Sequence, residues 1–573
     1  MMVEAIIDGI KVRVPEGTTI MEACEKINIK IPHLCYLEGL HPYGSCRICV
    51  VEVEGEGKLT PSCTRIIENG MRIRTNSQLL RKVRKTIVEL LLADHILECP
   101  TCPKSDDCEL LKLAHQLGVE SVTFPLSREL NKPKDETSHS LVRDPNKCIL
   151  CGRCIRVCSE VQEVNAISLV GRGKDLRVAA VLDKGLGNVM CTNCGQCLQA
   201  CPVGAITEKS AIDKVWEALD DPDTHVAVQM APSIRVSLGE EFGFQPGELT
   251  VKKIYAALRK LGFDAVFDTN FTADLTIVEE AWELVERVKD SKPLPQLTSC
   301  CPGWIKFMED NYPDLMEYVS TCKSPQQMMG ALIKTYYAKE VNINPENIVS
   351  VSVMPCTAKK FEAEREEMRD SGYKDVDYVL TTRELAKMIR EVGIDFKNLE
   401  EEEADSILGL YTGAATIFGA TGGVMEAALR TAYFYLTGEE LKKVDFKEVR
   451  GLERTKTASV EINGMEVKVA VAHGLGSARR LLDEIREGKS PYHFIEIMAC
   501  PGGCVGGGGQ PGGFDLGRRA KRAEGLYTED RELPYRQSHQ NSGIKILYQK
   551  YLGEVGGELA HKLLHTHYRK REY

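Results

Sequence analysis

Hydrophobic and polar positions alternate in short runs through residues 1–80, which predicts a small β-rich domain. The strand patterns cover residues 11–14, 49–53 and 71–74, and turn-forming dipeptides separate them. Residues 18–26 show helical spacing instead, so one helix is expected after the first strand pair.

Beyond about residue 210 the runs become longer and predict an α/β domain. Strand-like runs at His225–Met230, Ile348–Met354 and 467–471 alternate with amphipathic helical patterns at 251–261 and 382–392. Parallel strands connected by helices are the usual arrangement for such an alternation.

Four further segments complete the predicted organisation. Residues 79–95 repeat apolar positions at helical spacing, and the polar segment 126–140 is expected to be a linker. The uncharged stretch 407–425 contains five glycines and three threonines, so a buried loop is favoured over a membrane span. Residues 535–573 are expected to be helical and to pack on the body.

Composition excludes several classes of function. The 573 residues carry a net charge of -10, which argues against a nucleic-acid partner. Neither a secretory signal nor membrane insertion is expected, so a cytoplasmic location is predicted. The 22 cysteines are therefore expected to serve metal ligation or redox chemistry rather than disulfides.

Twenty of these cysteines form five groups, and only Cys24 and Cys322 stand outside them as expected structural thiols. The strongest pattern is a doubled run with the spacing of two-cluster bacterial ferredoxins, although Ser159 replaces the usual proline. Zinc is the disfavoured alternative. In such runs the fourth cysteine crosses over to the other cluster, so Cys201 should complete the first cluster and Cys158 the second. The eight ligands are Cys148, Cys151, Cys154, Cys158, Cys191, Cys194, Cys197 and Cys201.

Two other groups precede the doubled run. The first has the wide spacing of a [2Fe-2S] site in a β-rich domain, with zinc as the alternative. The second combines one histidine with three cysteines and by itself suits zinc or iron-sulfur equally. Its position among iron-sulfur candidates favours a [4Fe-4S] cluster with an imidazole ligand. The groups are Cys35, Cys46, Cys49 and Cys63, then His95, Cys99, Cys102 and Cys108.

The five cysteines of the last group occur in segments 298–304 (TSCCPGW), 354–360 (MPCTAKK) and 498–504 (MACPGGC). In order and sequence these resemble the three signature motifs of iron-iron hydrogenases, and the resemblance extends over essentially the whole chain. Residues 1–208 alone also resemble the electron-relay part of the large iron-sulfur subunit of respiratory complex I and of some formate dehydrogenases.

The resemblance implies an H-cluster, which is a [4Fe-4S] cubane joined to a two-iron subcluster with CO, CN and azadithiolate ligands. Its implied cubane ligands are Cys301, Cys356, Cys500 and Cys504, with Cys504 as the bridge. Cys300 would remain a free thiol that passes protons. The implied proton path continues through Glu280, Ser320 and Glu283, with Arg287 near its mouth. The implied surroundings of the two-iron unit are Lys359, Ser233, Pro232, Met354, Met498, Phe418, Gln326 and Ser324.

The resemblance implies a multidomain α+β and α/β fold. We expect a β-grasp [2Fe-2S] domain at 1–80, then a small [4Fe-4S] domain with one histidine and three cysteine ligands at 81–137. A two-[4Fe-4S] ferredoxin-like domain at 138–210 and a catalytic domain at 211–573 would follow. One [2Fe-2S] cluster and three accessory [4Fe-4S] clusters would then supply the H-cluster with electrons.

The implied function is reversible interconversion of H2 with protons and electrons. The implied partners are ferredoxin or flavin- and NAD(P)-binding subunits, together with maturation proteins. Pro501 and Gly506 stand where some single-chain relatives have larger polar residues, which favours a multimeric NAD(P)-linked or electron-bifurcating enzyme. The alternatives are a non-enzymatic iron-sulfur relay subunit and a hydrogen-sensing or cluster-assembly relative.

Overall fold

The structure, a computed structural model, describes residues 1–127, 130–290, 292–462 and 464–572. The N-terminal region is a small mixed sheet with one helix packed against it. Its elements are β1 (Met2–Ile7), β2 (Ile10–Pro15), α1 (Ile20–Lys26), β3 (Val50–Val53), β4 (Thr60–Pro61) and β5 (Arg72–Arg74). The strand order is β2-β1-β5-β3-β4. Helix α1 begins at a capping box, in which the side chains of Thr19 and Glu22 accept each other's backbone N–H groups.

The next region carries two helices followed by a pair of short strand-helix units. The elements are α2 (Gln78–Ala93), α3 (Glu109–Gln116), β6 (Leu141–Arg143), α4 (Arg153–Arg156), β7 (Ile167–Val170), β8 (Arg177–Ala180), α5 (Gln196–Ala200) and β9 (Ile206–Glu208). Strand β6 pairs with β9 and β7 pairs with β8, both antiparallel. Helices α4 and α5 both follow a glycine with a left-handed backbone, Gly152 and Gly195. The duplication in the sequence is therefore a duplication in structure.

The expected linker at 126–140 is only partly correct. Residues 128 and 129 lie outside the described residues. Asp135 forms a β-bridge with Arg143, and Ser138 and Ser140 are buried. The Ser138 hydroxyl donates to Asn193, which ties the segment to the following domain. The polar composition of this segment predicted an exposed linker. Polar side chains can be buried when they form hydrogen bonds, as Ser138 does here.

The remainder of the chain contains two sheets with helices packed around them. The elements are α6 (Ile212–Asp220), β10 (His225–Met230), α7 (Val251–Lys260), β11 (Ala265–Asp268), α8 (Asn270–Lys289), β12 (Gln296–Leu297), α9 (Pro302–Asn311), α10 (Pro325–Leu332), α11 (Ala338–Glu340), β13 (Ile348–Met354), α12 (Ala358–Ala363), β14 (Tyr378–Thr381), α13 (Thr382–Glu391), α14 (Gly413–Thr416), α15 (Gly423–Thr437), β15 (Thr455–Ile462), β16 (Met465–His473), α16 (Leu475–Arg486), β17 (Phe494–Met498), α17 (Leu516–Glu532), α18 (Ser542–Leu547) and α19 (Glu558–Leu564). The predicted multidomain α+β and α/β fold is confirmed.

One sheet has the order β11-β10-β13-β14 and is parallel throughout. The other has the order β12-β17-β16-β15, and within it only β15 with β16 is an antiparallel pair. Their strands β10, β13 and β17 are almost completely buried, as expected for strands covered on both faces. The carboxyl ends of β10, β13 and β17 converge on one region of the domain.

Two expectations for this domain need adjustment. Residues 412–425 are buried as expected for the segment 407–425, but Ile407 and Leu410 are exposed. The segment includes helix α14 and the start of α15 rather than loop alone. The segment 535–573 contains α18 and α19 but is irregular at both ends, and Tyr573 lies outside the described residues. Among the described residues we find no helix with the length and apolar character needed to span a bilayer. The domain boundaries at 80, 137 and 210 stay predictions.

Candidate active site

An enclosed apolar cavity lies where strands from both sheets end. Met354 ends β13, Met498 ends β17 and Ala231 follows β10, and all three line the cavity. Sites at the carboxyl ends of parallel strands are typical of α/β folds. The cavity brings together most of the residues that the resemblance implied: Pro232, Ser233, Cys300, Cys301, Gln326, Met354, Cys356, Lys359, Phe418, Met498, Cys500 and Cys504.

Four of the lining thiols come from three distant segments. Cys301 immediately precedes α9, Cys356 lies between β13 and α12, and Cys500 and Cys504 occupy the turn after β17. Burial raises the pKa of the Cys504 thiol to about 12, and it raises the pKa of Cys301 as well. A buried thiol gives up its proton readily when a metal ion neutralises the thiolate.

The donor set and the backbone around it fit a cubane cluster. Four cysteine sulfurs are the usual ligands of a [4Fe-4S] cluster. Gly503 has a left-handed backbone, and a Cβ there would lie 2.6 Å from the backbone nitrogen of Thr421. A Cβ at Gly507 would lie 2.1 Å from the carbonyl oxygen of Pro355. The glycines thus allow the loop carrying Cys504 to close tightly around the cavity.

A single carboxylate organises one wall of the cavity. Glu362 Oε2 accepts hydrogen bonds from Lys359 Nζ at 2.9 Å and from Gln326 Nε2 at 3.0 Å. It also accepts a hydrogen bond from Ser324 Oγ at 2.8 Å. Ser324 was expected to line the cavity, but it lies behind the wall and supports it through Glu362. Burial alone would lower the pKa of Lys359, but Glu362 holds it above its usual value. Lys359 therefore presents a fixed positive charge.

The opposite wall combines polar donors with apolar packing. Ser233 Oγ lies 3.2 Å from the amide nitrogen of Gln510, which donates to it. Met354, Met498 and Phe418 supply apolar surface and are buried. Such a cavity can hold a ligand by a few hydrogen bonds while keeping water out.

The predicted proton path lies between α8 and the segment that follows α9. Glu283 Oε2 accepts a hydrogen bond from Ser320 Oγ at 2.7 Å, and its Oε1 accepts one from Arg287 Nη2 at 2.8 Å. Glu280 is 1% exposed, and no hydrogen bond of good geometry reaches its carboxylate oxygens among the described residues, although the Ser320 hydroxyl and the Ser299 backbone lie close enough to lower its pKa. Burial, with added repulsion from Glu283 and Glu496, raises the pKa of Glu280 to about 8.

A carboxyl group with this pKa can take up and release a proton near neutral pH. Burial also raises the pKa of the Cys300 thiol well above its usual value, and the charge of Glu280 raises it further. Cys300 is therefore held firmly in its protonated form. The acidic pair Glu280 and Glu283 lies on one helix, α8, and is largely shielded from solvent.

The doubled cysteine run forms two separate small pockets. One is lined by Cys148, Cys151, Cys154 and Cys201. The other is lined by Cys158, Cys191, Cys194 and Cys197. The structure thus brings the fourth cysteine of each run to the first three of the other, in the arrangement that the sequence predicted.

The cysteines of the two remaining groups also lie near one another. Cys35 is in hydrogen-bond contact with Cys46 and Cys63, and Cys63 Sγ lies 3.4 Å from Cys49 Sγ. His95 and Cys108 are buried, and Cys99 and Cys102 are half-buried. A Cβ at Gly204 would lie 2.7 Å from Cys102 Sγ, so this group abuts the loop after Cys201.

The second ferredoxin-like pocket lies directly against the cysteines of the cavity. Cys500 Sγ lies 4.0 Å from the carbonyl oxygen of Cys194. A Cβ at Gly303 would lie 3.7 Å from Cys194 Cβ, so this residue also stands at the junction of the two regions. If both sites hold iron-sulfur clusters, the clusters are adjacent enough to exchange electrons without an intervening carrier.

Several residues at the site had no separate sequence prediction. Glu362 could have been found, because it lies three residues after Lys359 on a helix. Gln510 donates to the carbonyl oxygen of Cys504, and Arg519 donates to that of Pro501. The residues that flank them in the sequence form no motif that would have predicted these contacts. Thr269 lines the cavity after β11, in a position that resembles an ordinary strand end.

Family models match the chain in consecutive segments. The model for the C-terminal domain of the iron only hydrogenase large subunit matches residues 224–508, and the iron hydrogenase small subunit matches 516–571. A 2Fe-2S iron-sulfur cluster binding domain matches 1–78 and a 4Fe-4S dicluster domain matches 132–207. The NADH-ubiquinone oxidoreductase-G iron-sulfur binding region matches 84–123.

Known proteins resemble the chain over its whole length. The NADP-reducing hydrogenase subunit HndD of Solidesulfovibrio fructosivorans is 49% identical, covering 100% of this chain and 99% of its own. Iron hydrogenase 1 of Clostridium pasteurianum is 44% identical, covering 99% of both chains. A solved apo [FeFe]-hydrogenase from Chlamydomonas reinhardtii superposes with a TM-score of 0.57 at 43% identity, covering 63% of this chain and 99% of that one.

Proposed function

The chain belongs to the iron-only hydrogenase family, and on that premise we propose that it catalyses the reversible interconversion of H2 with protons and electrons. One observation carries the proposal: four cysteines, the free thiol of Cys300 and the buried ammonium of Lys359 all line one enclosed cavity. A relay subunit would need neither Cys300 nor Lys359. The iron-sulfur domains at the N-terminus support the electron supply.

The group that fits the cavity is an H-cluster, which when bound supplies the redox centre for exchange of two electrons and two protons with H2. Cys301, Cys356, Cys500 and Cys504 would hold its cubane, with Cys504 also bridging to the two-iron subcluster. Lys359 Nζ, the Ser233 hydroxyl and the Pro232–Ser233 backbone would donate hydrogen bonds to its CO and CN ligands. Met354, Met498 and Phe418 would exclude water, and Gln326 would complete the wall.

The proton route runs from Cys300 to Glu280, then by way of Ser320 to Glu283. Cys300 holds a proton at its Sγ, and Glu280, with a pKa of about 8, accepts or returns it. Ser320 Oγ connects onward to Glu283 Oε2 through its 2.7 Å hydrogen bond. Arg287 holds the Glu283 carboxylate in place by a two-donor contact from Nε and Nη2.

The electron route uses three accessory [4Fe-4S] clusters and one [2Fe-2S] cluster, each held by one of the four accessory cysteine groups. The ferredoxin-like cluster held by Cys158, Cys191, Cys194 and Cys197 would be the last before the cavity, because Cys194 contacts Cys500. The name of the NADP-reducing relative, which spans the full chain, supports an NAD(P)-linked partner subunit, and a flavin in that subunit belongs to the proposal alone. Ferredoxin is a second electron partner, and maturation proteins would supply the two-iron unit.

The proposal is tested by isotope exchange on anaerobically matured protein. Under H2 in D2O the protein should form HD and D2, and with reduced viologen it should evolve H2. Cys300→Ala should lose both activities at unchanged iron content, since it removes the thiol and no proposed ligand. Full iron-sulfur content in the unaltered protein without any exchange would overturn the proposal in favour of a relay subunit.

A further inference from the structure

Arg519 is a buried arginine that lies against the catalytic cysteine loop. It is on α17 and is 1% exposed. Its Nη1 donates to the carbonyl oxygen of Pro501 at 3.0 Å, and its guanidinium carbon lies 4.3 Å from the ring centroid of Phe514. Its Nε has no acceptor among the described residues, although it is buried. The side chain is thus held next to Cys500 with one donor unused.

Arg519 differs from the other buried arginines of this domain in its charge balance. Arg522, one turn further along α17 and equally buried, is paired with Glu240 at 2.6 Å. Arg235 is paired with Asp268 at 2.6 Å. In the part of the chain that the structure describes, no carboxylate lies within 4.0 Å of Arg519. A buried cation without an anion is costly, so a counter-charge is expected beside it.

The largest counter-charge is the cluster-binding loop, and Asp515 adds a smaller one from beyond 4.0 Å. Burial lowers the pKa of Arg519 to about 10, and the negative charge of Cys500 is the largest influence that opposes this. At neutral pH the guanidinium still carries its charge. Cys500 is one of the four cysteines that would hold the cubane, and a thiolate-ligated cubane is an anionic group.

Gly506 provides the space for the guanidinium. A Cβ at this position would lie 2.8 Å from Arg519 Nε and 2.9 Å from Arg519 Cδ. It would also lie 2.4 Å from the carbonyl oxygen of Pro501. Gly506 is one of the two positions, with Pro501, at which the sequence departs from some single-chain relatives. A larger residue there would occupy the space that the Arg519 side chain fills.

The same guanidinium reaches the neighbouring cluster loop. Arg519 Nη2 donates to Gln196 Oε1 at 3.3 Å, and Gln196 Nε2 donates to the carbonyl oxygen of Gly506 at 2.9 Å. Gln196 lies between Cys194 and Cys197 in the ferredoxin-like domain. Arg519 is therefore at the junction between the last accessory cluster site and the catalytic cubane site.

We propose that Arg519 is the internal counter-ion of the catalytic cubane and raises its reduction potential, so that electrons from the ferredoxin-like cluster are held at the cavity. This rests on the proposed function for the cluster that the cavity holds. Reduction adds one electron and hence one negative charge to the cubane, and a fixed cation beside it favours that reduced form. No proton or further reactant is needed. Arg519 acts as a positioning and tuning residue, not as a catalytic one.

The test is a redox titration of Arg519→Met beside the unaltered protein. The cubane is followed by electron paramagnetic resonance in protein produced without the maturation machinery, with Cys356→Ala identifying its signal by difference. Loss of the cation should lower the equilibrium constant for cubane reduction about tenfold, which for one electron corresponds to about 59 mV. Arg519→Lys should restore most of the change, since it keeps the charge. The control Arg531→Met removes an exposed arginine from the same helix and should change nothing.

Gly506→Ala provides a second variant in case Arg519→Met does not fold. Because its Cβ would also press on the Pro501 carbonyl oxygen, its iron content is measured first; with the iron retained, displacement of the guanidinium should lower the same equilibrium constant. An unshifted cubane in folded Arg519→Met, or an equal shift in Arg519→Lys, would overturn the inference. Repetition on matured protein separates the two proposals: a shifted cubane in protein that never gains carbonyl and cyanide bands would support Arg519 while contradicting the hydrogenase function.

Discussion

The two sides of the catalytic cavity differ in the groups that they present. Toward α8 the protein places the thiol of Cys300 and the carboxyl groups of Glu280 and Glu283, and burial raises the pKa of the first two. Toward the ferredoxin-like domain, the cysteine loop contacts an uncharged amide, Gln196, and a cation, Arg519. On the proposed function, protons and electrons would therefore approach the cavity from separate directions.

The largest expected effect comes from Cys504, on which the proposed proton and electron routes both depend. Cys504→Ala removes the proposed bridge between the cubane and the two-iron unit, so hydrogen evolution should fall below detection. Infrared spectra of the matured variant should lack carbonyl and cyanide bands. Cys24→Ala, a buried thiol in the core of the first domain, is the control and should retain both. Normal turnover by Cys504→Ala would mean that the cavity does not hold the proposed group.

Glu280→Gln should block proton transfer and leave electron transfer intact. The amide cannot relay a proton, so hydrogen evolution and uptake should fall by at least about a hundredfold, as is typical for loss of a general acid-base group. Reduction of the accessory clusters by dithionite should keep its normal rate. The matched control Glu286→Gln changes a more exposed carboxylate on the same helix. If Glu280→Gln kept half of the activity, the proposed separation of the proton and electron routes would be contradicted.

A smaller loss is expected for Ser320→Ala. This change removes the 2.7 Å hydrogen bond that Ser320 donates to the Glu283 carboxylate. Because the acceptor is a carboxylate, the folded protein should lose about 1.5–3 kcal/mol of stability. Turnover should fall about tenfold, because a water molecule can partly replace the hydroxyl. Ser320→Thr keeps the hydroxyl and should recover most of the rate. Equal losses in both variants would indicate a packing role for Ser320.

The smallest effect is the contribution of Glu280 to the pH dependence of stability. Glu280 titrates at about 8 in the folded protein and near 4.5 when unfolded, so between these values the folded state binds the extra proton. Stability should thus fall as pH rises through this window, by at most about 1.4 kcal/mol per pH unit. Denaturation midpoints of Glu280→Gln at pH 5, 6.5 and 8, chosen as about evenly spaced points across the window, should fall less than those of the unaltered protein. Parallel curves would contradict the raised pKa.

Local spacing explains what the sequence could predict. The ferredoxin-like ligands lie within short loops, so their spacing alone predicted both pockets and the exchange of Cys158 and Cys201. The strands His225–Met230 and Ile348–Met354 were predicted residue for residue, because buried parallel strands are continuous apolar runs.

Contacts between distant segments explain what it could not predict. The helical spacing of Glu280 and Glu283 was evident, but the burial that raises the pKa of Glu280 depends on elements packed from elsewhere in the chain. Gln510 donates to Ser233, 277 residues earlier, and Arg519 donates to Gln196, 323 residues earlier. Periodicity and motif spacing do not report such pairs.

The central claim is that this cavity holds an H-cluster and works as a hydrogenase site. Its most direct test is anaerobic infrared spectroscopy of matured protein, first under argon and then under H2. We predict carbonyl and cyanide stretching bands that shift when H2 is admitted. Full iron-sulfur content without such bands would contradict the claim and leave the chain as an electron-relay subunit.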